Sequence, residues 1–397
     1  VGRGAWTALG LVTVAFGCGS FASLSVAPLA PFFVDAFALS RAHVGLLLPA
    51  VYLGGVTMSL PAGWLADRFG VRLVLAGGLV LIATMVAVAT EASAFGLLLC
   101  CLVLAGFGFS VLNPATGKAV VEWFPPRRRG AAMGIKQTGL TLGGVAASLA
   151  LPPVAHAFGW RTALLLSAAV ALLMSALIAA SYRRPAVVAV APTAPRGRLA
   201  DIGMYLRRPG VVLVLVCGFL LSTAQASLLG YLVLFTKETF DVSRVASAQL
   251  LALAQVGGTA GRLAWGFVSD HYFGGRRRPG IVINALLGAT SYAVFSFGER
   301  LPLAWLVPAC VVAGVGAFGW VGLYFALVAE IGGPRHAGVL TGVAVMFSWS
   351  GVLVGPPIFG LLLDAAGSYA RPWTVLAVVA LAVAAALPWP EPLVQRQ

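Results

Sequence analysis

Apolar runs long enough to cross a bilayer follow one another down this chain, and no other feature restricts its fold so severely. A helical span needs about 20 mostly apolar residues, and breaks rich in charge, proline or glycine separate runs of that kind at 7–36, 43–66, 72–90, 95–121, 130–157 and 161–181. A polar stretch from Ser181 to Pro209 intervenes, and six more runs fall at 210–238, 245–269, 280–297, 303–329, 338–363 and 372–389. Composition agrees: 60% of the 397 residues are hydrophobic and only 10% charged, against about a quarter charged in soluble chains. The expectation is an all-α membrane protein of twelve transmembrane helices, with an N-terminal six-helix half at 1–181, a linker at 182–209 and a C-terminal six-helix half at 210–397. A disordered chain and a disulfide scaffold are excluded, and the five cysteines all lie in apolar runs, where a thiol acts as a small hydrophobe. The first run is too long for a cleaved signal peptide and reads as span one.

The net charge of +14 would suggest nucleic acid in a soluble protein, but here the basic residues mark topology. With the N-terminus placed inside, seventeen of the 26 lysines and arginines fall on the inner side, including Arg127 to Arg129, Arg207, Arg208 and Arg276 to Arg278. The positive-inside bias then puts both termini in the cytoplasm. The short loops and the alanine and glycine content point to a bacterial inner membrane, and no nucleic-acid partner is implied.

The two halves repeat each other. Ala105-Gly106-x-Gly108 precedes Glu122, Pro126, Arg127, Gly130 and Gly134, and adding 208 gives Ala313-Gly314-x-Gly316, Glu330, Pro334, Arg335, Gly338 and Gly342. With an offset of 203, Gly63 and Asp67 map onto Gly266 and Asp270. An even number of spans separates the copies, so the repeats run parallel, as in one major class of secondary transporter. The loop after span two, Gly63-Trp64-Leu65-Ala66-Asp67-Arg68-Phe69-Gly70-Val71-Arg72, resembles the Gly-x-Leu-x-Asp-Arg-x-Gly-x-Arg signature of the major facilitator superfamily, and Gly266 to His271 is a weaker copy. The resemblance covers essentially the whole chain and implies a carrier that works by alternating access. It makes Gly63, Asp67, Arg68, Arg72, Gly266 and Asp270 gating residues, with Asp67 free to pair with an arginine across the halves; a topology anchor is the other reading. Many proton-coupled members carry an arginine in span four, four residues before a Gly-x-Gly, where this chain has Leu102, and span five lacks the Gly-Pro-x-x-Gly-Gly pattern of drug and proton antiporters; both departures weigh against drug efflux.

A charge at the centre of a span costs about 2.5–3.5 kcal/mol, so each one is a functional candidate. Arg262, eight residues before Asp270, lies about 12 Å into span eight. A guanidinium holds a carboxylate by two parallel hydrogen bonds, so Arg262 reads as a substrate-anion contact or as a tie to helix carbonyls. The local Arg-x-x-x-Gly pattern is similar to that of monocarboxylate and oxalate carriers, whose span-eight arginine binds the carboxylate; they often carry an aspartate one turn earlier, where this chain has Gly258. Lys136 in span five either snorkels to the inner surface, the reading slightly favoured, or faces the cavity as a second positive charge. Lys118 in span four leans further towards a structural role. All twelve acidic residues lie near span ends or in loops, so a cation would find nothing to neutralise it and an anion is expected. Asn113, Gln137, Gln225, Tyr231, Trp320 and Tyr324 complete the candidate binding residues, with packing as the alternative for each.

The expected function is therefore a secondary active transporter for a small organic anion, a monocarboxylate above all, taken up with a proton. An efflux carrier for drugs or amphipathic compounds and an anion exchanger without a proton are the alternatives. The partners expected are the anionic substrate, a co-transported proton and membrane lipid, with the chain a monomer. No cofactor, metal or catalytic residue is proposed: all four histidines are peripheral, and no phosphate-binding loop occurs.

Overall fold

The computed structural model describes residues 2–183, 202–300 and 302–387. Lipid offers the backbone no hydrogen-bond partner, so each apolar run must satisfy its own amides as a helix, and the described residues hold no strand. In the first half, α1 (Arg3–Ser23) and α2 (Val26–Phe37) form a broken first span. They are followed by the single-turn α3 (Arg41–Val44), then α4 (Leu47–Ala89), α5 (Phe95–Trp123), α6 (Pro126–Phe158) and α7 (Trp160–Ser181). The second half has the short α8 (Ile202–Leu206), then α9 (Pro209–Phe240), α10 (Arg244–His271), α11 (Arg278–Ser296), α12 (Leu306–Ala366) and α13 (Ala370–Ala386).

Two of these helices each hold two spans. α4 turns at Gly70, with φ +81°, and α12 turns at Gly333, with φ +60°. Both angles lie where a side chain is disfavoured and glycine is not, so a single glycine does the work of the loop expected at each place. Counting α4 and α12 twice and α1 with α2 as one gives six spans in each half, and nine stretches among the described residues are long and apolar enough to cross a membrane. The protein is a multi-pass membrane protein. The linker expected at 182–209 lies mostly outside the described residues.

The chain forms two compact units. Unit 1 comprises Val1–Ala191 with Val242–Ala252, and unit 2 comprises Pro192–Asp241 with Leu253–Gln397. The start of α10 joins unit 1, where Arg244 pairs with Asp35 and lies 4.9 Å over the Phe32 ring.

The sequence repeat is also a packing repeat. In unit 1 a β-carbon on Gly106 would collide with the Val51 carbonyl, and one on Gly54 with that of Val103. In unit 2 Gly314 lies against the Ala254 carbonyl and Gly257 against that of Val311, the same four positions shifted by 203 or 208. Small residues let helix backbones approach this closely where burial of apolar surface gives no drive between helices. α1 packs on α6 in unit 1, and α9 packs on α12 in unit 2, with Gly143 against Gly17 and its repeat mate Gly351 against Phe219.

Candidate functional site

Unit 1 holds one buried lysine. Lys136 sits ten residues inside α6, about 15 Å along its axis, and is only 3% exposed. Its side chain does not snorkel as the sequence reading favoured: the helix face that carries it packs inward on α1 and α5. Its ammonium donates to Asn113 Oδ1 on α5 and lies 5.0 Å over the Phe16 ring of α1. No ion pair reaches it among the described residues. A lysine ammonium has three donors, so one neutral amide and one aromatic face leave its charge uncompensated. Asn113 is exposed in the middle of its span and half-buried Gln137 follows Lys136 on α6, which puts polar surface beside the cation.

In unit 2 Arg262 is half-buried on α10, and its Nε donates to the Phe318 carbonyl on α12 at 2.9 Å. The tie to a helix carbonyl, one of the two readings open from sequence, is present. It helps orient the guanidinium against α12.

The other candidates lie deeper. Trp320 and Tyr324 meet edge to face, with ring centroids 5.3 Å apart, inside the core that unit 2 builds from Leu215, Leu221, Ile281 and Leu323. Trp320 Nε1 donates to the Ala317 carbonyl at 2.8 Å. The Tyr324 hydroxyl presses on Gly218, where any β-carbon would collide with it. Tyr231 stacks on Phe359 at 4.4 Å and is fully buried. Gln225 is half-buried on α9, and its Oε1 has no hydrogen-bond partner among the described residues.

The signature residues organise the span ends of each unit separately. Asp67 accepts from Lys118 Nζ at 3.1 Å, and the same ammonium caps the Ala66 carbonyl at 2.8 Å. Lys118, one span away, is thus the partner of Asp67 within unit 1. In unit 2 Arg277 bridges Asp270 at 2.6 Å and Glu330 at 2.9 Å and donates to Ser269 Oγ. Burial works against that charge, but the hydrogen bonds to Glu330 and Asp270 outweigh it and raise the guanidinium above its ordinary pKa. Gly63 and Gly266, one turn before the acids, have open space where a β-carbon would stand. Arg68 and Arg72 are exposed.

The sequence reading missed Phe16, Gly218 and Arg277. Phe16 is one of 22 phenylalanines and carries no local mark. Arg277 had one, since it stands next to the second signature copy.

A model of the Major Facilitator Superfamily matches residues 9–356. The chain belongs to the Major Facilitator Superfamily. An uncharacterized MFS-type transporter of Mycobacterium tuberculosis (strain CDC 1551 / Oshkosh) is 29% identical over 394 residues, covering 98% of this chain and 86% of the relative. The hexuronate transporter of Bacillus subtilis (strain 168) is 23% identical, covering 87% and 85%. Monocarboxylate transporter 11 of Mus musculus is 31% identical, covering 78% and 70%. Among solved structures, a bacterial homologue of the human lysosomal transporter Spinster superposes with a TM-score of 0.83 at 18% identity, covering 98% of this chain and 97% of that one. The likeness to that structure is one of fold. The protein is a secondary transporter of the superfamily.

Proposed function

We propose that this member of the superfamily carries a small organic anion, a monocarboxylate first of all, and takes it up together with a proton by alternating access across a bacterial inner membrane, with both termini in the cytoplasm. The observation that carries this reading is Lys136, a buried cation whose partners are a neutral amide and a ring. A charge held in a span without a counter-ion is costly, and a bound carboxylate supplies the missing charge while accepting the ammonium's remaining donors. Arg262 is a second cation on the other unit, oriented by the Phe318 carbonyl. Asp67, Asp270 and Glu330 are paired near helix ends. The names of the hexuronate and monocarboxylate relatives fit an anionic substrate.

In this mechanism Lys136, with Asn113 and Gln137 beside it, receives the carboxylate. The Phe16 ring beside the ammonium suits an anion with an apolar body. The carboxylate neutralises the Lys136 ammonium, and a proton moving with the anion makes the net translocation electroneutral. Uptake of a labelled monocarboxylate into proteoliposomes, at an inward proton gradient and at none, tests the coupling. Uptake accelerated by acid outside supports symport. Gradient-independent exchange would replace it with anion antiport.

A further inference from the structure

The ends of spans two and eight carry related three-part devices that place their arginines differently: Arg68 and Arg72 in unit 1, Arg276 to Arg278 in unit 2. On α4, Arg68 lies over two aromatic rings, 5.2 Å from the Trp64 centroid and 5.7 Å from that of Phe69. Those rings meet edge to face at 6.2 Å. Shifted by 203, the three positions become Phe267, His271 and Tyr272 on unit 2, where the His271 ring stacks on Phe267 at 3.9 Å. Arg72, just past the turn at Gly70, becomes Gly275. Unit 1 therefore sets two permanent charges where unit 2 has a histidine and a glycine.

The surroundings of the unit 1 copy decide what it receives. Trp64 is 55% exposed, and Leu73 beyond the turn is 65% exposed, in a stretch apolar enough to lie in the bilayer. Aromatic rings at a span end seat themselves at headgroup level. The acid between them, Asp67, is engaged by Lys118, and no carboxylate pairs with Arg68 or Arg72 among the described residues. An exposed arginine beside aromatic rings keeps N–H donors free to take a phosphate by two hydrogen bonds. A soluble phosphate gives no reason for bare tryptophan, phenylalanine and leucine around it, whereas a phospholipid covers them with its chains.

We propose that Trp64, Arg68, Phe69 and Arg72 form a binding site for one anionic phospholipid of the adjoining leaflet, its phosphate on the arginines and its acyl chains along Leu73 and Trp64. The site does not depend on which solute is carried. The halves differ here: unit 2 has His271 where unit 1 has Arg68, and its Arg277 is engaged by Asp270 and Glu330.

Native mass spectrometry of the full chain, released from detergent after titration with phosphatidylglycerol or phosphatidylcholine, tests this. One phosphatidylglycerol is expected to bind ahead of the rest, with phosphatidylcholine weaker. Removing one juxtamembrane arginine is expected to weaken binding about fivefold, so Arg68→Gln with Arg72→Gln should weaken it about thirtyfold. The complementary variant His271→Arg should add a second tightly held phosphatidylglycerol, and it decides the matter even if the double variant is unstable. Equal retention of the two lipids, displacement by soluble glycerol phosphate, or a stoichiometry unchanged in His271→Arg would each overturn the proposal.

Discussion

Replacing Lys136 by methionine should weaken binding sharply while leaving stability nearly unchanged. The substitution keeps the length and apolar stem of the side chain and deletes its charge. On the binding side, a charge-assisted hydrogen bond is worth about 1.5–3 kcal/mol, so the variant should bind the carboxylate about 10- to 150-fold more weakly. On the stability side, removing a charge from the centre of a span relieves about 2.5–3.5 kcal/mol. Against this stands the loss of the charge-assisted bond to Asn113, about 1.5–3 kcal/mol, and of the contact with Phe16, about 1 kcal/mol. The two sides cancel to within about 1 kcal/mol, so the unliganded variant should melt close to the wild-type temperature in detergent. The assay is thermal unfolding with and without substrate, alongside the KM for counterflow. Wild type should be raised by the carboxylate and the variant should not. A variant that melts well below wild type while keeping its KM would show that Lys136 holds the helices together, and the reasoning would fail.

Asn113→Leu leaves the ammonium charged but removes its hydrogen-bond acceptor, and should lower stability by about 1–3 kcal/mol, read as an earlier melt that added substrate partly restores. Gly314→Ala should destabilise unit 2 by about 1–3 kcal/mol, because its β-carbon would drive into the Ala254 carbonyl; Gly106→Ala should do the same in unit 1, and hydrogen exchange can localise each effect to its own half. Lys118→Met should leave the melting temperature within about 1 kcal/mol of wild type, since Asp67 is 63% exposed and such pairs are weak, and it should change the rate of counterflow rather than its KM if the span-end clamp serves gating; an altered KM at an unaltered rate would contradict that role. Arg277→Gln strands two carboxylates at once, and should cost more than Lys118→Met in the same melting assay.

Much of the architecture is legible in the sequence because the bilayer leaves so few options. Twelve apolar runs become twelve helical spans, and the offsets of 203 and 208 that align Gly63 with Gly266 and Gly106 with Gly314 reappear as the same helix contacts in each unit. The turns at Gly70 and Gly333 were expected as loops, since a periodicity argument cannot tell a single positive-φ glycine from a short connection. The site was less legible for one reason: depth along a helix follows from counting residues, but the direction of a side chain does not. Lys136 could be placed about two turns inside its span, yet whether its stem reached for water or for Asn113 depended on how α6 is rotated against α1 and α5. The same holds for Lys118, whose partner Asp67 is 51 positions away, and for Arg262, whose acceptor Phe318 is 56 positions away. Trp320 and Tyr324 share a face, as their spacing implies, and that face belongs to the core of unit 2.

The central claim is that the transported solute is an organic anion held by Lys136. Its most direct test is counterflow into proteoliposomes of a panel of labelled monocarboxylates, dicarboxylates, inorganic anions, neutral sugars and organic cations, with wild type beside Lys136→Met and Arg262→Ala. The account predicts exchange of a carboxylate by wild type, with KM raised at least tenfold in Lys136→Met. Exchange confined to neutral or cationic solutes, or carboxylate exchange indifferent to Lys136, would contradict it.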